Sequence, residues 1–157
     1  MTRSRSAGVT LIEMLMVVSI VALFVAISFP AVSSGLDTVR LGSATNSVVT
    51  FFNSALNRAD RRQEPIEVII SIEANNLEMR SPDPAFTRKI DMPDGIKIDK
   101  IYPLPAEGYE EKARSVIVYP AGAVPRIGVE IRNSKGTRRI VRIDPITGIA
   151  QVEEPQS

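Results

Sequence analysis

From Met14 to Leu36 the chain carries no charged residue. Read back to Val9, the apolar run approaches the roughly 20 residues that a helix needs to cross a bilayer. Arg3 and Arg5 precede it without an acidic residue, so the positive-inside tendency predicts a cytoplasmic amino end, with everything after about Pro30 on the other side. Pro30, Gly35 and Gly42 loosen a helix without having to end it. Beyond them Thr45, Val48, Val49, Phe52, Ala55, Leu56 and Ala59 recur at helical spacing, and Asn46, Asn53, Asn57, Asp60 and Arg61 fall on the other side. That stripe can serve a partner helix or cover the chain's own sheet, and the second use is the simpler. Arg61 and Arg62 suit a last turn, and Pro65 forbids continuation. A helical rod from Val9 to Arg62 would be about 80 Å long at 1.5 Å per residue.

After Pro65 the period changes to alternation. "IEVIISIE" places Ile66, Val68, Ile70 and Ile72 on one face, and Asn75 and Asn76 lead into "LEMR" as a hairpin. "FTRKIDM" and "IKIDKIY" flank a turn at Pro93 to Gly95, and "SVIVY", "RIGVEIR", "RRIVRI" and "IAQV" follow between Pro- and Gly-containing links. Tyr102 to Arg114 has no regular period and reads as an exposed loop. The expected fold class is α+β: a long amino-terminal helix packed on a carboxyl-terminal antiparallel β-sheet domain. The expected divisions are a leader over 1–8, a transmembrane segment over 9–32, an amphipathic continuation over 33–63, a β-rich domain over 64–152 and a flexible tail over 153–157.

Composition narrows the chemistry. The 157 residues, 44% hydrophobic, suffice for one membrane segment and one small domain. Nineteen Lys and Arg against 18 Asp and Glu make no case for general polyanion binding. Cysteine and histidine are both absent, which removes disulfides, thiolate metal sites, the commonest general base and the usual Ser-His-Asp and Cys-His mechanisms. No catalytic constellation remains, and neither a cofactor nor a metal site is expected.

Glu13 stands near the head of the apolar run. A carboxylate there costs about 2.5 kcal/mol or more at the bilayer centre, so it needs a shallow, headgroup-level position or a partner. The physics alone leaves both open. The stretch "RSRSAG" followed by "VTLIEMLMVVSIVALFVAISFP" resembles the class III signal of the type IV prepilin and pseudopilin superfamily. The resemblance makes Gly8 the residue before cleavage, Val9 the N-methylated residue, Glu13 the assembly residue and Pro30 the helix-kinking proline. It departs from the usual pattern at Val9, where most members have phenylalanine. It implies cleavage and methylation by prepilin peptidase, after which the new α-amino group can share an apolar layer with Glu13 of a neighbouring subunit, so that pairing offsets the burial of both charges. A secretory signal peptide cut near "AVSS", or a plain anchor, is the competing reading; an acid at the head of the apolar run and Gly8 directly before "VTLIE" argue against both.

The carboxyl-terminal pattern "VIVYPAGAVPRIGVEIRNSKGTRRIVRIDPITGIAQV" resembles the ending of the H-type minor pseudopilins of type II secretion and of related minor pilins. That resemblance implies a non-enzymatic subunit, anchored in the bacterial inner membrane with its carboxyl-terminal domain in the periplasm, that enters a short pseudopilus at or near the tip to support protein export. Its implied partners are prepilin peptidase, the other major and minor pseudopilins, the inner-membrane assembly platform, membrane lipid and secreted cargo. The alternative is a minor pilin of a type IV pilus or DNA-uptake system, in which Lys135, Arg138, Arg139 and Arg142, with Arg126 and Arg132 nearby, would contact DNA phosphates. A solvated strand face, with each arginine near an acid such as Glu130 or Asp144, is the simpler use of that cluster, since no interleaved aromatics accompany it. Glu107, Glu110 and Glu111 lack the spacing of an oxygen-ligand loop, and Asp91, Asp94 and Asp99 are similarly spread, Asp94 with Gly95 serving a turn.

Overall fold

The structure is a computed structural model that describes residues 9–153, apart from the side chains of residues 27–34 within the helix. One helix, α1 (Leu11–Arg62), is followed by eight strands. The chain divides into two compact units at Leu36 and Asp37.

In the first unit α1 starts on a capped turn. The hydroxyl of Thr10 accepts a hydrogen bond from the backbone N–H of Glu13 at 3.3 Å, and the Thr10 carbonyl accepts one from Met14 at 3.2 Å. A threonine N-cap thus satisfies a donor that the helix leaves orphaned. Every described side chain from Val9 to Ala26 is exposed, and Ser19 turns its hydroxyl back onto the Leu15 carbonyl at 2.7 Å, which removes its cost in an apolar surrounding. Among the described residues no helix is long and apolar enough to cross a membrane. The uncharged sequence runs on from Ala26 to Leu36. The bend expected at Pro30 falls among those side chains, outside the described residues.

The second unit begins at Asp37 and holds the rest of α1. The helix stops in a Schellman arrangement: Gln63 takes a left-handed φ of 53°, the Glu64 N–H reaches the Ala59 carbonyl at 3.3 Å, and Pro65 follows. The strands are β1 (Ile66–Ser71), β2 (Asn76–Arg80), β3 (Thr87–Asp91), β4 (Ile96–Tyr102), β5 (Ala113–Val118), β6 (Gly128–Asn133), β7 (Arg138–Ile143) and β8 (Ala150–Glu153). They form two four-stranded antiparallel sheets, ordered β3-β2-β1-β5 and β4-β6-β7-β8. The α+β arrangement read from the sequence is therefore the one observed, with the β part split in two. Pro93 to Gly95 does not close a hairpin, because β3 and β4 on either side of it belong to different sheets. Asn75 clips that crossing in place: its side chain donates to the Ile96 carbonyl at 2.9 Å and accepts from the Ile98 N–H at 2.8 Å.

One hydrophobic core takes side chains from α1 and from both sheets. Ile66, Val68 and Ile70 are buried, as alternation requires. The buried stripe of α1 is broader than the expected one, adding Leu41, Ala44 and Phe51 to Thr45, Val48, Phe52, Ala55 and Ala59. A helix covered by two sheets buries more of its circumference than one laid on a single sheet, and Phe51 meets Phe52 edge-to-face with centroids 6.4 Å apart.

Candidate functional site

The sequence points to two places, and each lies in its own unit. At the amino end, Gly8 lies outside the described residues. Val9 stands just ahead of α1 and is 62% exposed, and Glu13 sits exposed in the first turn. Thr10, Leu11, Ile12 and Glu13 read as a capping sequence, threonine at N-cap and glutamate three residues on. Around Glu13 the exposed side chains are Leu11, Ile12, Met14, Leu15 and Met16. The Glu13 carboxylate thus lies within an uncovered apolar girdle.

The second place is the outer face of the sheet β4-β6-β7-β8. Tyr102, Gly128, Arg142 and Gln151 are direct cross-strand partners and form one row over all four strands. Two residues along β6 from Gly128, on the same face, lies Glu130, only 2% exposed. The Tyr102 hydroxyl donates to its Oε2 at 2.6 Å, Arg138 approaches its Oε1 at 3.5 Å, and Arg142 lies 5.5 Å from the Tyr102 ring centroid. The hydrogen bond to the Glu130 carboxylate, followed by burial, pushes the phenol up to about 12. A groove of about 870 Å³ lies over the end of this row, with Arg126, Leu104 and Pro145 on its walls.

The predicted basic concentration is brought together on this sheet and on the β6–β7 turn, and acids reach most of it. Arg132 pairs with Asp99 at 2.7 Å, Arg142 with Glu153 at 3.2 Å and Lys135 with Asp37 in α1 at 3.3 Å. Arg139 is also engaged. Among the described residues no ion pair joins Asp144 to an arginine. Asp144 accepts from the N–H groups of Ile146 at 2.7 Å and Thr147 at 3.2 Å, which hold its carboxyl below the usual carboxylate range and close the turn before β8. Glu111 pairs with Arg114 at 2.5 Å, and among the described residues no group of three or more carboxylates is placed to hold a metal ion. The Tyr102–Glu130 pair was missed in the sequence. Its only signal is a glutamate at a position where alternation within "IGVEIR" competes with a continuously buried run.

Residues 3–29 match the family described as the prokaryotic N-terminal methylation motif. The chain carries a prepilin-type signal. It supports a type IV pilin-like protein, processed by prepilin peptidase, anchored through its amino-terminal helix and assembled with other pilins; such a signal marks structural subunits. The match ends at Phe29, ahead of the β domain. No curated protein and no solved structure gives a significant match to the chain.

Proposed function

We propose that this protein is a minor pseudopilin of a type II secretion pseudopilus. Prepilin peptidase cuts it after Gly8 and methylates Val9, the amino-terminal helix crosses the inner membrane with its start in the cytoplasm, and the β domain works in the periplasm at or near the filament tip. The observation that carries the reading is the prepilin-type signal, with Glu13 exposed one turn from the new amino terminus. Four residues of helix span about 6 Å, so a neighbouring subunit can set its Val9 amino group against Glu13 by a small axial shift. Pairing makes the burial of both charges tolerable and gives the filament a register.

The ion pairs over the β4-β6-β7-β8 sheet favour protein export over DNA uptake. Arg132, Arg138, Arg142 and Lys135 each have an acid within 4 Å, so phosphate binding there must first break existing pairs. The test is incorporation of full-length Glu13→Ala into sheared filaments. Loss from the filament fraction with normal recovery in membranes supports the reading, and normal incorporation overturns the role of Glu13.

A further inference from the structure

A sheet edge exposes backbone donors and acceptors that another chain can pair with, and folded proteins close or blunt such edges. The two sheets of this domain have four edges, β3, β5, β4 and β8, and three of them are blunted. The β3 edge carries Arg88, Lys89 and Asp91, with Lys89 and Asp91 paired at 2.8 Å. At β4 the Asn75 side chain already takes the Ile96 carbonyl and the Ile98 N–H, and the register breaks between Ile98 and Lys100. The β8 strand has only four residues, and Asn53 takes the Ala150 N–H.

The β5 edge is open. Its six residues pair with β1 in unbroken register, and among the described residues no strand lies on its other side. The Ile72 N–H donates to the Lys112 carbonyl at 2.8 Å. Bonded and non-bonded positions alternate along an antiparallel pair, so Arg114, Val116 and Val118 turn their backbone groups towards β1, while Ala113, Ser115 and Ile117 turn theirs away. Those three residues are exposed, Ile117 at 46%. The one charge on β5, Arg114, is already held by Glu111 and the Pro103 carbonyl. Val116 gives an independent sign. It packs against the core but is only half-buried, whereas Val68, directly opposite on β1, is wholly buried. The core is left unfinished along this edge.

We propose that β5 accepts an extended segment of a different pilin-like subunit as an added strand of the sheet β3-β2-β1-β5. Outward N–H and C=O groups on every second residue are matched by an extended backbone, whose pairing supplies affinity while its alternate side chains supply selectivity. The residue of that segment beside Val116 is apolar, since it completes the cover of the core, and those beside Ser115 and Ile117 are small or apolar. A strand as charged as β3 does not fit. The contact rests on the reading of the chain as a subunit assembled with other pilins. Each copy of this chain makes it once, with a different chain, as suits a subunit placed at or near the tip.

Proline is tolerated on a sheet edge where its missing N–H would face outward, so Ile117→Pro removes a donor for the added strand and none from the β1 ladder. Ile117→Thr keeps that donor and the branched shape. Both are made in the full-length chain and followed into sheared filaments. Ile117→Pro should fall roughly fivefold or more in the filament fraction with normal recovery in membranes, and Ile117→Thr should stay near the native level. Normal incorporation of Ile117→Pro, or equal loss in both variants, would overturn strand addition. Residue-resolved hydrogen exchange on the native chain decides the matter should Ile117→Pro fail to fold. In the detergent-extracted chain the amides of Ala113, Ser115 and Ile117 should exchange about tenfold faster than those of Arg114, Val116 and Val118, and in filaments all of them should be slow. Outward amides that stay fast in filaments overturn the contact. Protection that already grows with concentration in the detergent-extracted chain also overturns it, assigning the edge to a second copy. Intact mass from the same membranes separates the two failures: a chain beginning at Val9 and present in filaments, with its outward amides still fast, overturns the contact alone, and an uncut chain absent from filaments overturns the subunit reading.

Discussion

The side-chain oxygen of Asn53, in α1, accepts a hydrogen bond from the backbone N–H of Ala150 at 3.0 Å, joining positions 97 residues apart. Ala150 opens β8, an edge strand of four residues, and faces Ile143 on β7. Its other edge would otherwise leave that N–H unpaired beside the helix. Asn53 thus satisfies one donor of the sheet edge and ties it to α1.

Removing this acceptor should cost about 1–2 kcal/mol, because the donor of a buried residue is left unpaired. Asn53→Ala is expected to lower the unfolding midpoint and to raise hydrogen exchange at Ala150, while Asn53→Asp, which keeps an acceptor, should lose less. Equal loss in both variants would show that the amide acts through something other than this bond.

Tyr102 and Glu130 predict a dependence on alkaline pH. The phenol has its ordinary pKa of 10.0 in the unfolded chain and about 12 in the folded one. Its stabilising contribution is therefore fully present below pH 10 and is lost as the pH rises through 12, since the unfolded state gives up its proton first. Stability measured from pH 9 to 12 should fall more steeply in the native chain than in Tyr102→Phe. Parallel curves would contradict the account.

Glu130 is expected to matter more than the charges above it. Glu130→Ala removes an almost wholly buried carboxylate and leaves the Tyr102 hydroxyl without its acceptor, and should destabilise by about 1.5–3 kcal/mol. Arg138 and Arg142 are about half exposed, so Arg138→Gln or Arg142→Gln should change stability by under about 1 kcal/mol. Thermal unfolding of the three variants gives the order directly.

Lys135, Arg138, Arg139 and Arg142 bear on the DNA alternative. With acids already beside Lys135, Arg138 and Arg142, replacing the four by glutamine should leave the slope of DNA affinity against salt unchanged within about one counterion. Electrophoretic titration at several salt concentrations measures it. A slope reduced by three or four would place phosphate contacts on this sheet and turn the account towards DNA uptake.

Much of the architecture was legible because periodicity is local. Ile66, Val68 and Ile70 alternate, Val48, Phe52, Ala55 and Ala59 recur at helical spacing, and Pro65 separates the two patterns. Whatever depended on distant partners was not. Phe51 is buried in the core that α1 shares with both sheets, and no window around Phe51 records the second sheet. The turn at Pro93 to Gly95 has hairpin chemistry, yet the clip made by Asn75, about twenty residues earlier, carries the chain between sheets. Arg132, Arg138 and Arg142 have acids nearby, but Arg142 takes Glu153 from a neighbouring strand, while Asp144, two residues away, is used by its own turn. At the amino end the cap at Thr10 was readable in retrospect from the same "TLIE" that suggested the signal.

The most direct test is the intact mass of the full chain recovered from membranes, with and without an active prepilin peptidase. The account predicts a mature chain beginning at Val9 only when the peptidase is present. A chain that keeps its first eight residues in both samples, or one cut beyond Pro30, would contradict it.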